Sequence, residues 1–108
     1  MRLQLALNVT NLEEAVDFYS RLFDAEPARE RPGYANFVIA DPPVKLVLFE
    51  GPEGGTLNHL GVETQTAEEV TAAEARLGGS GLRTTGVEDT ECCYAAKTET
   101  WVEAPDGL

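Results

Sequence analysis

The fold of this chain is decided by the stretch Thr56-Leu57-Asn58-His59-Leu60-Gly61-Val62-Glu63, which contains the single histidine of the sequence. Side chains alternate between the two faces of a strand, so Leu60 and Val62 share one face and His59 lies on the other. We therefore predict that the imidazole projects away from the packed face of a sheet. Gly61 lies beside the histidine and has no side chain, which leaves room for a bound ion.

The composition is that of a soluble globular protein with one domain. The chain has 108 residues, 43% hydrophobic and 25% charged, enough for a single core or for two small modules that share one. Nineteen acidic residues against eight basic ones give a net charge of -11, which repels nucleic acid and anionic membranes. The sequence shows no signal-peptide pattern and no apolar run that could span a bilayer. We expect a cytoplasmic protein that binds neither nucleic acid nor membranes, and the sequence leaves monomer and homodimer open.

The first half of the chain predicts a strand, a helix and up to three further strands. Residues 3–9 alternate leucine or valine with polar or small side chains, which is the period of a half-buried strand. Asn11 is a helix-capping residue type, acidic residues follow it, and apolar residues recur at helical spacing as far as Phe23. The predicted strands after this helix are residues 25–31 at a sheet edge, 34–40 and 44–50, with a turn at Pro32-Gly33.

The pattern restarts after a glycine-rich connector at residues 51–55. Residues 59–63 are predicted to form a strand, and Thr66 caps a helix whose apolar side includes Val70 and Leu77. A glycine-rich segment then ends this helix. The remaining predictions are extended segments at residues 84–88, 92–96 and 100–103, and a turn at residues 104–107.

The two halves come into register when the chain is shifted by 55 positions. The shift places Leu5 on Leu60, Leu7 on Val62, Glu13-Glu14 on Glu68-Glu69, and Leu22 on Leu77. It also places Gln4 on His59. A lone histidine is more often a hydrogen-bonded core or surface residue than a ligand, and a lone glutamine on the solvent face of a strand is ordinary. Because both occupy equivalent positions of a duplicated unit, we predict a single domain in which module one (residues 1–52) and module two (residues 56–108) hold a metal ion between them.

Three motifs carry a resemblance to a known superfamily. They are Asn11-Leu12-Glu13-Glu14-Ala15-Val16-Asp17-Phe18-Tyr19, His59-Leu60-Gly61-Val62-Glu63 and Ala104-Pro105-Asp106-Gly107. Together they resemble the vicinal oxygen chelate superfamily, which includes glyoxalase I, bleomycin-resistance proteins and extradiol dioxygenases. The resemblance implies an α+β fold in which two βαβββ modules form an open, cupped, mixed sheet around a metal, with the final strand missing from this chain.

Three further segments are similar to one branch of that superfamily. They are Arg31-Pro32-Gly33-Tyr34-Ala35-Asn36-Phe37, Asp41-Pro42-Pro43-Val44-Lys45-Leu46-Val47-Leu48 and Thr90-Glu91-Cys92-Cys93-Tyr94-Ala95. The branch contains cadmium-induced proteins and the carbon-arsenic lyases that degrade organoarsenicals. The resemblance implies an Fe(II) centre held by a glutamine, a histidine and a glutamate, of which Gln4 and His59 match the first two. It also implies that Cys92 and Cys93 are the thiol pair that captures a trivalent organoarsenical.

The third metal ligand is not matched within the sequence. The family pattern places this glutamate a few residues after a Pro-Asp-Gly turn, so its expected position lies beyond Leu108. Glu50 is the residue most nearly symmetric with that position, and we interpret it as an ordinary surface acid. An imidazole together with amide and carboxylate oxygens suits Fe(II) or another first-row ion and leaves positions open for O₂ and substrate.

The adjacent cysteines allow more than one interpretation. Neighbouring residues rarely form a disulfide without strain, and free cysteines are often small buried hydrophobic residues. Both thiols reach one soft ion only if the backbone bends, and the polar residues at 90–91 and 97–100 favour a loop at this point.

The functional hypothesis is a non-haem Fe(II), O₂-dependent carbon-arsenic lyase that cleaves trivalent methyl- or aryl-arsenicals to arsenite. In this hypothesis Cys92 and Cys93 bind the arsenic close to the metal held by Gln4 and His59. Binding accelerates the reaction mainly because it orients the substrate. The alternative is a resistance protein that binds Cd(II) or a drug through its thiols without turnover. A glyoxalase-like isomerase ranks lower because it would not need the thiols.

Overall fold

The computed structural model describes residues 1–92 and 95–108, and the side chains of residues 90–96 lie outside this description. The chain divides into two compact units, Met1–Glu63 and Thr64–Leu108. Each unit is built from elements that are close to one another in sequence. Neither of the two helices in the described residues is long and apolar enough to cross a membrane.

The first unit is a five-stranded mixed sheet with one helix. Its elements are β1 (Arg2–Val9), α1 (Leu12–Phe23), β2 (Arg29–Arg31), β3 (Tyr34–Ile39), β4 (Val44–Glu50) and β5 (Thr56–Glu63). The strand order is β2-β3-β4-β1-β5, in which β1 is parallel to β4 and antiparallel to β5. The predicted α+β class with a mixed sheet is therefore confirmed. Strand β5 follows the glycine-rich connector and still joins the sheet of the first unit, because it pairs along the whole length of β1.

Helix α1 begins where the sequence predicts, and two side chains hold its first turn. Asn11 Oδ1 accepts the backbone N–H of Glu14 at 3.0 Å, which satisfies one of the donors left open at a helix start. The carboxylate of Glu50 accepts the backbone N–H of Leu12 at 2.8 Å. Glu50 is exposed, as predicted for a surface acid, and in addition fastens the helix start to the end of β4.

The hydrophobic core lies between α1 and one face of the sheet. Phe37 and Leu48 are the largest fully buried side chains, at the centre of β3 and β4. The buried cluster around them consists of Val9, Phe37, Ile39, Val44, Leu46 and Leu48, against which Leu5, Leu7, Leu12, Val16, Tyr19 and Phe23 pack. The alternation in β1 and the helical spacing in α1 thus converge on one core, as the sequence predicts.

The edge strand β5 departs from the predicted packing. Leu60 and Val62 are 52% and 62% exposed, so the prediction that they lie on a packed face is wrong for these two residues. Helix α1 packs chiefly on β3 and β4, whereas β5 lies on the other side of β1 from these strands. The helix therefore covers the middle of the sheet and not its β5 edge.

The second unit contains helix α2 (Ala67–Gly79) and a hairpin of β6 (Glu88–Cys92) and β7 (Ala95–Glu99). Thr66 caps α2 as predicted, since its hydroxyl accepts the Glu69 backbone N–H at 3.2 Å. The Glu69 carboxylate in turn accepts the backbone N–H of Gln65 at 3.2 Å, which completes a capping box.

The predicted extended segments of the second unit are confirmed in part. The described residues of segment 92–96 belong to β6 and β7, whereas segments 84–88 and 100–103 contribute the first residue of β6 and one isolated bridge between Thr84 and Val102. The polar flanks of the cysteines are strands where a loop was predicted. Polar side chains hold the hairpin together, since Thr98 donates to the Asp89 carboxylate at 2.6 Å. These strands lack the alternation of apolar and polar residues that predicts a strand from sequence. The predicted turn near the end of the chain is confirmed at Pro105–Asp106.

Replacement of Leu48 by alanine is expected to destabilise the protein by about 2–5 kcal/mol, because it opens a cavity in a fully packed site. The same substitution at Leu22, which is 58% exposed on α1, is expected to change the free energy of unfolding by less than about 1 kcal/mol. Denaturant unfolding of the two variants measures the difference. Equal losses would contradict the position of the core.

Candidate metal and thiol site

The two predicted metal ligands lie on the same face of neighbouring strands. In the antiparallel pairing of β1 with β5, Gln4 is opposite Gly61 and Ala6 is opposite His59. Residues that are directly opposite share a face, so Gln4 and His59 are diagonal neighbours there. Diagonal positions are about 7–8 Å apart, which is within reach of two long side chains. Both residues belong to the first unit, whereas the sequence assigns them to different modules.

A β-bulge in β5 is responsible for the direction of His59. The register runs from Ala6 opposite His59 to Leu7 opposite Leu57, so Asn58 is an extra residue without a partner position on β1. A bulge of this kind re-aims the side chains that follow it. It puts Leu57 on the apolar face and His59 on the polar face, although the two are separated by an even number of positions.

A chain of hydrogen bonds ends on the imidazole. His59 Nδ1 lies 2.8 Å from Asn58 Oδ1, and Asn58 Nδ2 donates to Asn8 Oδ1 at 2.9 Å. Asn8 Nδ2 then donates to Thr56 Oγ1 at 2.9 Å. The Phe49 ring lies beside the imidazole, with 6.4 Å between the ring centroids. The imidazole is thus in contact with a polar chain on one side and an aromatic ring on another.

The residues present fit two protein donors to a metal ion. An amide oxygen and an imidazole nitrogen are both ligands that first-row ions accept. A Cβ atom added at Gly61 would meet no atom within 4 Å, so the strand surface facing Gln4 and next to His59 is open. Among the side chains that the structure describes, there is no cluster of three or more histidine, cysteine, aspartate or glutamate residues placed to hold a metal.

An ion-pair network lies at one end of the same face. Glu63 accepts from Arg2 and from Lys45, with 2.9 Å between Lys45 Nζ and Glu63 Oε2. Partial burial by itself raises the pKa of the Glu63 carboxyl, but hydrogen bonds and charge attraction from Lys45 and Arg2 outweigh burial and hold the pKa below its ordinary value. Lys45 is the register partner of Gln4 on β4. The network therefore lies on the face that carries Gln4 and includes its neighbour on β4.

The predicted thiol pair falls at the limit of what the structure describes. The backbone of Cys92 ends β6, where it pairs with Ala95. Its side chain and the whole of Cys93 lie outside the described residues. The role of the two thiols stays a prediction.

Sequence reasoning missed Asn58 as a functional candidate. The signal that could have found it is a break in phase, because Leu57 is separated from Leu60 by three positions and from Val62 by five. Residues on one face of a regular strand are separated by even numbers. An odd separation between apolar residues therefore indicates one inserted residue between Leu57 and Leu60.

A cleft of the first unit lies away from these residues. It has a volume of about 560 Å³ and is lined by Leu12, Glu13, Val16, Glu30, Arg31, Pro32 and Glu50. Its walls are the start of α1 and the β2-β3 turn. The open surface around Gly61 is the candidate site, because Gln4 and His59, which have donors that suit a metal, are diagonal neighbours there.

The chain belongs to the glyoxalase/bleomycin resistance protein/dioxygenase superfamily, whose model matches residues 3–108. Members of this superfamily typically bind a metal ion. A mixed five-stranded sheet and two helices among the described residues are consistent with the fold of that superfamily.

Named relatives are similar over almost the whole chain. Cadmium-induced protein CadI of Mycobacterium tuberculosis is 59% identical over 107 residues, which cover 98% of this chain and 70% of that protein. The trivalent organoarsenical cleaving enzyme of Thermomonospora curvata is 52% identical over 108 residues, which cover 98% of this chain and 72% of that protein. The predicted superfamily and branch are thereby confirmed.

A solved structure supports the fold alone. The crystal structure of NAD-dependent benzaldehyde dehydrogenase from Legionella pneumophila aligns with a TM-score of 0.62 over 97% of this chain and 91% of that chain, at 18% identity. At this level of identity the similarity carries no information about the reaction.

The substitution Glu63→Gln is expected to lower the free energy of unfolding by about 1 kcal/mol at neutral pH, as for a partly exposed ion pair. The pKa of Glu63 is lower in the folded than in the unfolded state, so its contribution is fully present above the ordinary carboxyl pKa and is lost as the pH falls through the folded-state pKa. Urea unfolding at neutral pH and at about pH 3 should therefore show a difference between wild type and variant that shrinks with acid.

The control for this experiment is Glu53→Gln, which changes an exposed carboxylate in the glycine-rich connector. It is expected to leave the stability at neutral pH within about 0.5 kcal/mol of wild type. A Glu63 effect that is the same at both pH values would contradict the role of the ion pairs.

Proposed function

We propose that this protein is a non-haem Fe(II), O₂-dependent carbon-arsenic lyase that releases arsenite from trivalent methyl- or aryl-arsenicals. The observation that carries the proposal is the 52% identity to a protein named trivalent organoarsenical cleaving enzyme, over 98% of this chain. The common face of Gln4 and His59 supports it, because a residue with an oxygen donor and a residue with a nitrogen donor are diagonal neighbours there, beside an open strand surface.

In this proposal Gln4 and His59 supply two ligands to the metal, and a carboxylate supplies the third. A ferrous ion would provide the one-electron chemistry by which O₂ reacts at neutral pH. A neutral amide is a weaker ligand than a second imidazole, so we expect the metal to be lost readily. The network of Arg2, Lys45 and Glu63 keeps the neighbourhood of Gln4 in one arrangement.

The thiols of Cys92 and Cys93 bind the substrate. Trivalent arsenic is a soft centre that sulfur ligands hold well. Each thiol condenses with one As–OH group and releases one water, which leaves the organic group on arsenic as the part presented for oxidation. For a methylarsenical, the C–As bond breaks as one oxygen atom of O₂ goes to the carbon, which leaves as formaldehyde, and the other goes to arsenic as a hydroxyl group. Two water molecules then hydrolyse the two S–As bonds, which restores the thiols and releases arsenic in its trivalent state as arsenite.

A sequestering protein is the second candidate, and a specific observation favours it. The relative with 59% identity is named cadmium-induced protein CadI, and two cysteine thiols are soft ligands that also suit Cd(II). In this case the protein would hold Cd(II) or an arsenical in stoichiometric amounts and release no product.

Incubation with a trivalent methylarsenical separates the two candidates. We expect free arsenite in air and none under strict anaerobiosis, while binding of the arsenical persists without O₂. Arsenic speciation by liquid chromatography coupled to mass spectrometry measures both quantities. Turnover that survives anaerobiosis would contradict the oxygenase mechanism, and stoichiometric retention in air would favour sequestration.

Two variants assign the parts of the site in that assay. His59→Ala should abolish release of arsenite and leave binding of the arsenical intact, because the thiols are unchanged. Replacing Cys92 and Cys93 by serine should abolish both. A His59→Ala variant with full turnover would exclude this histidine from the reaction.

The substitution Gly61→Val tests where the metal lies. Valine favours a strand and a Cβ at this position meets no atom, so the free energy of unfolding should stay within about 1 kcal/mol of wild type. The side chain would fill the surface facing Gln4, and Fe(II) affinity under argon should fall at least about tenfold. The control is Gly51→Val, a glycine in the connector with equally open space. Unchanged Fe(II) affinity of the Gly61 variant would contradict this position for the metal.

A further inference from the structure

Asn58 has no part in the proposed metal and thiol roles, yet it is the residue hydrogen bonded to the proposed histidine ligand. It is exposed, and it is the extra residue of the β5 bulge. Its Oδ1 lies 2.8 Å from His59 Nδ1, and its Nδ2 donates to Asn8 Oδ1. In an unbroken strand neighbouring side chains point to opposite faces. The bulge is what allows the residue before His59 to lie beside its ring.

The direction of this hydrogen-bond chain determines the tautomer of His59. Because Nδ2 of Asn58 donates to Asn8, the oxygen of the Asn58 amide faces the imidazole. An amide oxygen only accepts, so in a neutral ring this bond requires the hydrogen on Nδ1 and leaves the lone pair on Nε2. Metals bind a histidine through a nitrogen that carries no proton.

We propose that Asn58 is a positioning residue that fixes the Nδ1–H tautomer and the ring orientation of His59, so that Nε2 can bind the metal. This inference rests on the proposed metal centre. Outer partners that orient a ligating histidine in this way change metal affinity by about 10–100-fold when they are removed. Asn8 extends the effect, because it accepts from Asn58 and donates to Thr56 and thereby sets which end of the Asn58 amide faces the ring.

The first experiment reads the tautomer in the metal-free protein. Nitrogen-15 NMR of the labelled imidazole, at a pH where the ring is neutral, distinguishes a protonated ring nitrogen from one with a lone pair. Wild type should show the hydrogen on Nδ1. Asn58→Ala should shift the population toward the Nε2–H form that dominates in free imidazole side chains, and Asn8→Ala should shift it in the same direction to a smaller extent.

The second experiment measures Fe(II) affinity under argon by isothermal titration calorimetry. Asn58→Ala should weaken binding about 10–100-fold. Asn58→Asp keeps an oxygen acceptor facing Nδ1 and should restore both the tautomer and the affinity. The matched control is Asn11→Ala, which removes another exposed asparagine that accepts a hydrogen bond, here at the start of α1. It should lower stability and leave the tautomer and the affinity unchanged.

The outcomes separate this inference from the proposed function. An Nε2–H tautomer in wild type would overturn the inference, and so would an Asn58→Ala variant with unchanged tautomer. Failure of the wild-type protein to bind Fe(II) would overturn the proposed metal centre, and the Asn58–His59 hydrogen bond would then have no metal ligand to orient. Loss of affinity in Asn58→Ala without rescue by Asn58→Asp would reduce Asn58 to a structural residue of the strand.

Discussion

The antiparallel pairing of β1 with β5 is the constraint on which the candidate site depends. Its register places Gln4 opposite Gly61 and Ala6 opposite His59. The extra residue Asn58 decides which face of the sheet each later residue of β5 occupies. In a regular strand, His59 would lie on the apolar face with Leu57. The bulge keeps two leucines in phase with the apolar face and the histidine on the polar one. One inserted residue in β5 thus makes the difference between a candidate metal site and an ordinary half-buried strand.

The face that carries the site has a buried floor and a polar rim. Ala6 and Val47 are register partners with 0% and 2% exposure, so the middle of this face is covered. Asn36, which is also buried, is satisfied by the Tyr34 hydroxyl at 2.9 Å, so burial leaves its amide bonded. The opposite face carries the leucine rows and α1. One face of the sheet therefore stabilises the fold by packing against α1, and the other face carries the candidate site.

Local signals in the sequence predicted the elements that depend on local physics. Asn11 and Thr66 cap their helices through side-chain oxygens, and Leu5, Leu7 and Val9 of β1 contribute to the core. The hairpin of the second unit was missed because its strands are held by polar pairs such as Thr98 with Asp89. The exposure of Leu60 was not predicted, because alternation shows which side chains share a face of a strand but does not show whether another element packs on that face. Gln4 and His59 were found through the internal repeat, whereas the sign of Asn58 in the sequence is the odd spacing between Leu57 and Leu60, which becomes a bulge only when the strand is paired with β1.

The hydrogen bond between Asn58 and His59 bears on the choice between turnover and sequestration. A protein that only holds Cd(II) or an arsenical through two sulfurs gains nothing from an imidazole of fixed tautomer beside an amide oxygen on another strand. A redox metal centre does gain from it, because its ligands must be deprotonated and oriented before the metal binds. The fold by itself supports many chemistries. The hydrogen-bond chain from Thr56 to His59 is thus the feature of the described structure that supports the proposed metal centre, on which the proposed turnover depends.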